Sequence, residues 1–191
     1  MGKAILYVHS KKLLDSLKNR LHSGGFAQII ASTTPAQLYS DALEGHPEVA
    51  VVENSLSEPQ LNPALSKLWE NLGIPIIMIA ESGELEAVQK WGESVVSSIL
   101  AKPVREDELM AALALSLASA RRVGKLKAEV ATLKESIESR KIVEKAKGRL
   151  MERDKLTEAE AFRSMQRLAM DRRISMRQLA EAILLADGIH S

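Results

Sequence analysis

Five short apolar runs separated by segments of helical period narrow the folds open to this chain more than any other feature. They lie at residues 4–8, 28–31, 49–52, 74–79 and 95–100. Between the first two, Leu13, Leu14, Leu17 and Leu21 recur at helical spacing before Gly24-Gly25, and a second helix starts near Pro35. Strands that are apolar throughout must be covered on both faces, which requires a parallel sheet with helices on each side. The expected fold of residues 1–120 is therefore α/β, a five-stranded doubly wound (flavodoxin-like) domain. In such folds ligands and catalytic groups gather at the carboxyl ends of the strands.

From residue 106 to 142 there is no proline and a single glycine, Gly124. Val123, Leu126, Val130, Leu133 and Ile137 step by three and four, a heptad seam of little more than two repeats. The spacing predicts a coiled-coil linker over residues 121–138 that joins two copies as a homodimer. Residues 139–191 read as a three-helix bundle. Thr157 with Glu160, and Ser175 with Gln178, have the capping-box spacing that opens a helix. The expected apolar faces are Ala161, Phe162, Met165, Leu168 and Ala169, then Leu179, Ala182, Ile183 and Leu184.

The 191 residues contain no cysteine, which excludes disulfides, thiol nucleophiles and Cys-ligated zinc. The first apolar run is too short for a signal-peptide core, and no run approaches a membrane span. Gly2 lacks the hydroxyl residue that a myristoylation signal needs at position 6, which is Leu6. A soluble, cytoplasmic protein is expected. The net charge of +1 conceals an asymmetry: residues 1–120 hold 9 Lys/Arg against 14 Asp/Glu, and residues 121–191 hold 17 against 11. A basic second half suits a polyanionic partner.

The strand ends resemble those of a known family. The element order and Lys102-Pro103 after the fifth strand are similar to the receiver domain of two-component response regulators. That resemblance implies an acidic pair after strand one, a phospho-accepting aspartate after strand three, a hydroxyl after strand four and an aromatic before the lysine. Here those positions read His9-Ser10, Glu53, Ala80 and Ile99. Magnesium is a hard ion held by carboxylates and waters, and His9-Ser10 brings no carboxylate. Without the ion, phosphoryl transfer loses its main charge stabilisation. The expectation is a degenerate pocket of His9, Ser10, Ala80 and Lys102 around Glu53 at the acceptor position, controlled by binding. Glu53 is open to two readings: a surface glutamate, or a carboxylate near Lys102 that imitates the charged state.

No other catalytic constellation is present. His9, His22, His46 and His190 have no metal-ligand spacing, and no phosphate-cradling glycine loop or nucleophile elbow occurs. The chain reads as a non-enzyme that needs no cofactor or metal. Gly148 inside a helix costs about 1 kcal/mol relative to alanine, so it is expected to admit a close-packed helix, or else a nucleic-acid backbone. Lys145 with Arg149, and Arg163 with Arg167, share helix faces, and Lys147, Arg172, Arg173 and Arg177 add charge near the helix connections. These eight are the candidate phosphate-binding residues. Phe162, the only aromatic of this half, is expected in the core.

The same region resembles the ANTAR domain, the RNA-binding module of AmiR/NasT-type transcription antitermination regulators. The similarity rests on Ser139-Arg140, Ile142, the run from Ala146 to Met151, the run from Leu156 to Phe162, Met165-Gln-Arg-Leu-Ala169 and Leu179-Ala180. It implies binding to paired small-loop hairpins in leader mRNA, so that a terminator does not form, and control by a sensor or inhibitor protein acting on the receiver-like domain. Two competitors remain: a helix-turn-helix DNA-binding response regulator, with residues 175–182 as recognition helix, and a protein-binding adaptor whose cations are only solvated.

Overall fold

A computed structural model describes residues 2–54, 60–92 and 95–189. The chain divides into two compact units, Met1–Lys125 and Leu126–Ser191.

The first unit is a parallel sheet whose strands are β1 (Gly2–Tyr7), β2 (Phe26–Ser32), β3 (Val49–Glu53), β4 (Ile76–Ala80) and β5 (Ser98–Ala101). Their order is β2-β1-β3-β4-β5, the flavodoxin-like arrangement in which the switch point lies between β1 and β3. The helices are α1 (Lys11–Ser23), α2 (Pro35–Gly45), α3 (Leu61–Leu72), α4 (Leu85–Gly92) and the start of α5 (Glu106–Asp154). Alternate strand residues feed two cores, because successive side chains point to opposite faces. Ile5, Tyr7, Ala50, Val52, Ile76 and Met78 pack with Leu38, Leu65, Leu68 and Val88. Ala4, Leu6, Val49, Val51, Ile77 and Ile79 pack with Leu17, Leu21, Leu109 and Leu113.

The expected run at 95–100 is displaced. Strand pairing begins at Ser98, opposite Ile77. The Ser98 hydroxyl lies 3.0 Å from that of buried Ser116 on α5. A polar residue can therefore open this strand because the facing helix satisfies it.

α5 is one helix of 49 residues. Its first turns contribute Leu109, Ala112 and Leu113 to the first unit. Residues 124–138 are all exposed, and the helix then contributes Ala146 and Leu150 to the second unit. There it joins α6 (Glu158–Arg172) and α7 (Met176–Ile189) around Ala146, Leu150, Ala161, Met165, Ala169, Leu179 and Ala180. Four alanines in this core allow the helix backbones to approach closely. Both expected helix starts form. The Thr157 N–H donates to Glu160 Oε2 at 2.9 Å, and the Ser175 N–H donates to Gln178 Oε1 at 2.9 Å. Two face assignments shift: Ala180 is buried where Ala182 was expected, and Phe162 is 40% exposed.

Among the described residues no helix is long and apolar enough to cross a membrane.

Candidate functional site

At the carboxyl ends of β1, β3 and β5 the degenerate receiver positions converge. Glu53, the last residue of β3, is only 5% exposed, which rules out the surface-glutamate reading. Its Oε2 accepts from the backbone N–H of His9 at 2.7 Å and of Ser10 at 3.4 Å. Its Oε1 accepts from Lys102 Nζ at 2.5 Å. The same Nζ reaches Glu81 Oε1 at 3.0 Å. Burial pushes the Glu53 carboxyl up, but the Lys102 hydrogen bond, the His9 and Ser10 amides and the Lys102 charge outweigh it, leaving a net downward shift. Lys102 shifts up, chiefly through Glu53 and against the opposing effect of burial.

These geometries account for the unusual residues. Ser10, where a receiver resemblance calls for an acid, caps α1 by accepting from the Leu13 N–H. Ala80 is buried in the core. Ile99 packs against the core on the α2–α4 side. The His9 ring stands edge-on to Tyr7 with Nδ1 3.6 Å from Glu53 Oε2. Magnesium does not fit this residue set: the one buried carboxylate is already committed to Lys102 and two amides. Among the described residues no group of three His, Asp or Glu is arranged to hold a metal. His22 meets the Phe26 carbonyl at 2.9 Å, and His46 ends α2 in the left-handed region at φ 49°; His190 lies outside the described residues. Glu81 had no sequence signal, because its role depends on Lys102 arriving from β5.

In the second unit the eight candidate cations separate into two groups. Lys145, Arg149, Arg163, Arg167, Arg172 and Arg173 are exposed. Among the described residues the only ion pair these six make is a long one, Arg149 to Glu152 at 3.9 Å, and the charge of Arg163 contributes to lowering the Glu160 pKa. Lys147 and Arg177 are different. Lys147 is 7% exposed and bound to Glu144 Oε2 at 2.6 Å and Glu158 Oε1 at 2.7 Å. Those two hydrogen bonds, Glu144 first, raise its pKa, and the Lys147 contact lowers that of Glu158. Arg177 pairs with Glu181 at 2.9 Å and Glu135 at 3.8 Å. Both hold helices together, because their partners lie on the helices they join as well as their own. Arg173 ends α6 at φ 54°, and Lys155 follows α5 at φ 56°. Non-glycine residues in this region carry a cost of order 1 kcal/mol, and a cation there also complements the helix C-terminus.

Two expectations about this unit are corrected. A Cβ on Gly148 would meet nothing within 4 Å, so no neighbouring helix requires the glycine. Gly148→Ala is therefore expected to raise stability by up to about 1 kcal/mol, read as a higher melting temperature. A lower one would mean that the site is packed after all. Phe162 stands outside the core and lines two clefts, one of about 350 Å³ with Arg140, Val143 and Met176, the other with Lys147, Glu158 and Ala159. Helical geometry explains the error: Ala161, Met165 and Ala169 step by four along the buried stripe, and Phe162 is turned about 100° from Ala161.

The seam residues are placed as follows. Leu126, Val130, Leu133 and Ile137 are 55, 48, 57 and 58% exposed, and Val123 is half-buried.

Residues 131–184 match the model of the ANTAR domain. The chain is 30% identical over 169 residues to the transcriptional regulatory protein PdtaR of Mycobacterium tuberculosis, covering 88% of this chain and 82% of that one. A nitrate regulatory protein of Klebsiella oxytoca is 35% identical over 64 residues, which is 34% of this chain and 16% of that protein. The signal receiver domain of a modulated diguanylate cyclase from Desulfovibrio desulfuricans superposes with TM-score 0.55 at 18% identity, covering 63% of this chain and 97% of that one. At that identity the likeness establishes the fold alone. With the PdtaR similarity spanning most of both chains, the protein belongs to the ANTAR-domain transcriptional regulators that carry a receiver-like domain ahead of the ANTAR region.

Proposed function

We propose that this regulator is a cytoplasmic RNA-binding antitermination protein. It works as a homodimer on paired hairpins in leader mRNA, under the control of a partner protein that engages the receiver-like domain. The observation that carries the reading is the set of exposed cations on the ANTAR helices, of which Lys145, Arg167, Arg172 and Arg173 have no ion-pair partner among the described residues, while Arg163 lies within electrostatic reach of Glu160. Phosphates are neutralised by side chains in that state, not by cations already held by carboxylates.

The exposed seam supports a second copy as its occupant. Val123, Val130 and Ile137 are β-branched at one heptad position, and Leu126 and Leu133 occupy the other, the combination that favours parallel two-stranded coils. In a parallel pair Glu129 of one copy faces Lys134 of the other. An antiparallel pair would set Lys127, Lys134 and Lys141 against one another. A parallel dimer presents two ANTAR modules together, which suits a leader carrying two hairpins.

Glu53 supplies Lys102 with an anion at all times, so control by phosphoryl transfer is replaced by control through binding. Division of the chain into residues 1–120, a linker at 121–138 and an RNA-binding module at 139–191 follows from this reading.

Substitution of cations tests it. Arg163→Ala and Arg167→Ala are each expected to weaken hairpin binding several-fold and to reduce the slope of log affinity against log salt by about 0.7 to 0.9. Lys147→Ala is expected to lower the melting temperature instead, since Glu144 and Glu158 lose their shared partner. Unchanged binding and salt slope in both arginine variants would favour the adaptor reading, in which these cations are only solvated.

A further inference from the structure

We infer that the cleft beside Phe162 is a seat for one unpaired base of the bound RNA loop, with the phenyl ring as its stacking face. This rests on the RNA-binding reading above and adds a recognition element that the cation pattern does not contain.

Phe162 is 40% exposed one residue after the fully buried Ala161. The second unit's core closes without it. A phenylalanine left at the surface beside a concave site is a ready platform for a flat apolar face. The cleft of about 350 Å³ is lined by apolar Val143, Met176 and Phe162 and by polar Ser136, Ser139, Arg140 and Glu144. Glu144 commits Oε2 to Lys147, which leaves Oε1 to accept from a base amino or imino group. Ser139 adds a hydroxyl that can donate or accept. Arg140 is exposed and unpaired among the described residues, placed to neutralise the phosphate of the seated nucleotide. A flat ring with hydrogen-bonding edges and an attached anion satisfies all three groups. An aliphatic side chain from a protein partner would use only the apolar lining. Unpaired loop bases are the parts of a folded RNA free to leave the stack, and proteins read them by aromatic stacking combined with edge contacts.

The test uses the full-length protein and a pool of RNA hairpins with one fixed stem and a randomised small loop. Its tightest-binding member is then remade with an abasic site at each loop position in turn. Stacking on an aromatic residue is worth roughly 5- to 150-fold in affinity per base. Phe162→Leu, which keeps the apolar volume, is expected to lose a factor in that range, and Phe162→Tyr to retain binding. One abasic position should cost wild type about the same factor and cost Phe162→Leu nothing further. Several outcomes overturn the seat. One is Phe162→Leu binding like wild type. Another is equal abasic penalties in the two proteins. A third is a weakened dimer in Phe162→Leu, by sedimentation, that accounts for the whole loss, which would assign the cleft to a second copy. If wild type binds no hairpin of the pool, the RNA-binding reading itself falls, and this inference with it.

Discussion

Leu126→Lys with Leu133→Lys should convert the protein from dimer to monomer and weaken its grip on a two-hairpin leader by about 100- to 10,000-fold. The two leucines are 55% and 57% exposed, and neither belongs to a core cluster of its own chain. Charge placed there is therefore solvated in a monomer and costs the fold little. In a parallel pair the same four lysines would be driven into one seam, where like charges and lost burial both oppose association. Joining two modules makes the second contact intramolecular, and avidity gains of that size follow from tethering alone. The discriminating control is a leader trimmed to one hairpin, for which the variant and wild type should bind within a few-fold of each other. Sedimentation measures the mass, and titration of both leaders measures the affinities. A variant that remains dimeric, or loses single-hairpin binding equally, would refute the role given to the seam.

The second large effect is expected at Glu53. Glu53→Gln keeps the size of the side chain but removes the charge that Lys102 and two backbone amides surround. Charge-assisted hydrogen bonds are about twice as strong as neutral ones, so a loss of about 2 kcal/mol is expected at neutral pH. Lys102 retains Glu81, which limits the damage. The sign of the pH dependence follows from the shifts. The folded-state pKa of Glu53 is lowered, so its contribution is fully present above the usual carboxylate range and is lost as pH falls through the lowered value. That of Lys102 is raised, so its contribution holds through neutrality and disappears only as pH rises past the raised value. Wild type should thus exceed Glu53→Gln by a constant margin across the neutral range, and the two should converge at the acid end. A margin unchanged down to strongly acid pH would contradict the buried ion pair. A small-molecule phosphodonor with magnesium should leave the mass of wild type unchanged. A phosphoryl adduct absent from Glu53→Gln would restore a phosphorylation mechanism.

Much of this architecture is legible in the sequence because the sheet is covered on both faces. Residues 49–52 and 76–79 are apolar at every position, as strands covered on both faces require. The edge strand was less legible, because Ser98 is tolerated only through Ser116, eighteen residues later on another element. Lys102 and Glu53 could be found by position, but not the burial of the carboxylate, nor the share of Lys102 taken by Glu81. In the second unit, hydropathy sent Phe162 to the core and charge sent Lys147 to the surface. The structure reverses both. One residue of helical phase separates Phe162 from the buried stripe, and Lys147 is drawn inward by Glu158, which reaches it from a different helix. Side chains whose environment is made by a second element are the ones that one-dimensional patterns misplace.

The central claim is tested most directly by one titration: full-length protein at low ionic strength against a two-hairpin leader RNA and against the duplex DNA of the same sequence. Preferential, dimer-dependent binding to the RNA, weakening steeply as salt rises, is the predicted result. Tighter binding to the duplex, or none to the RNA by folded protein, would contradict the account.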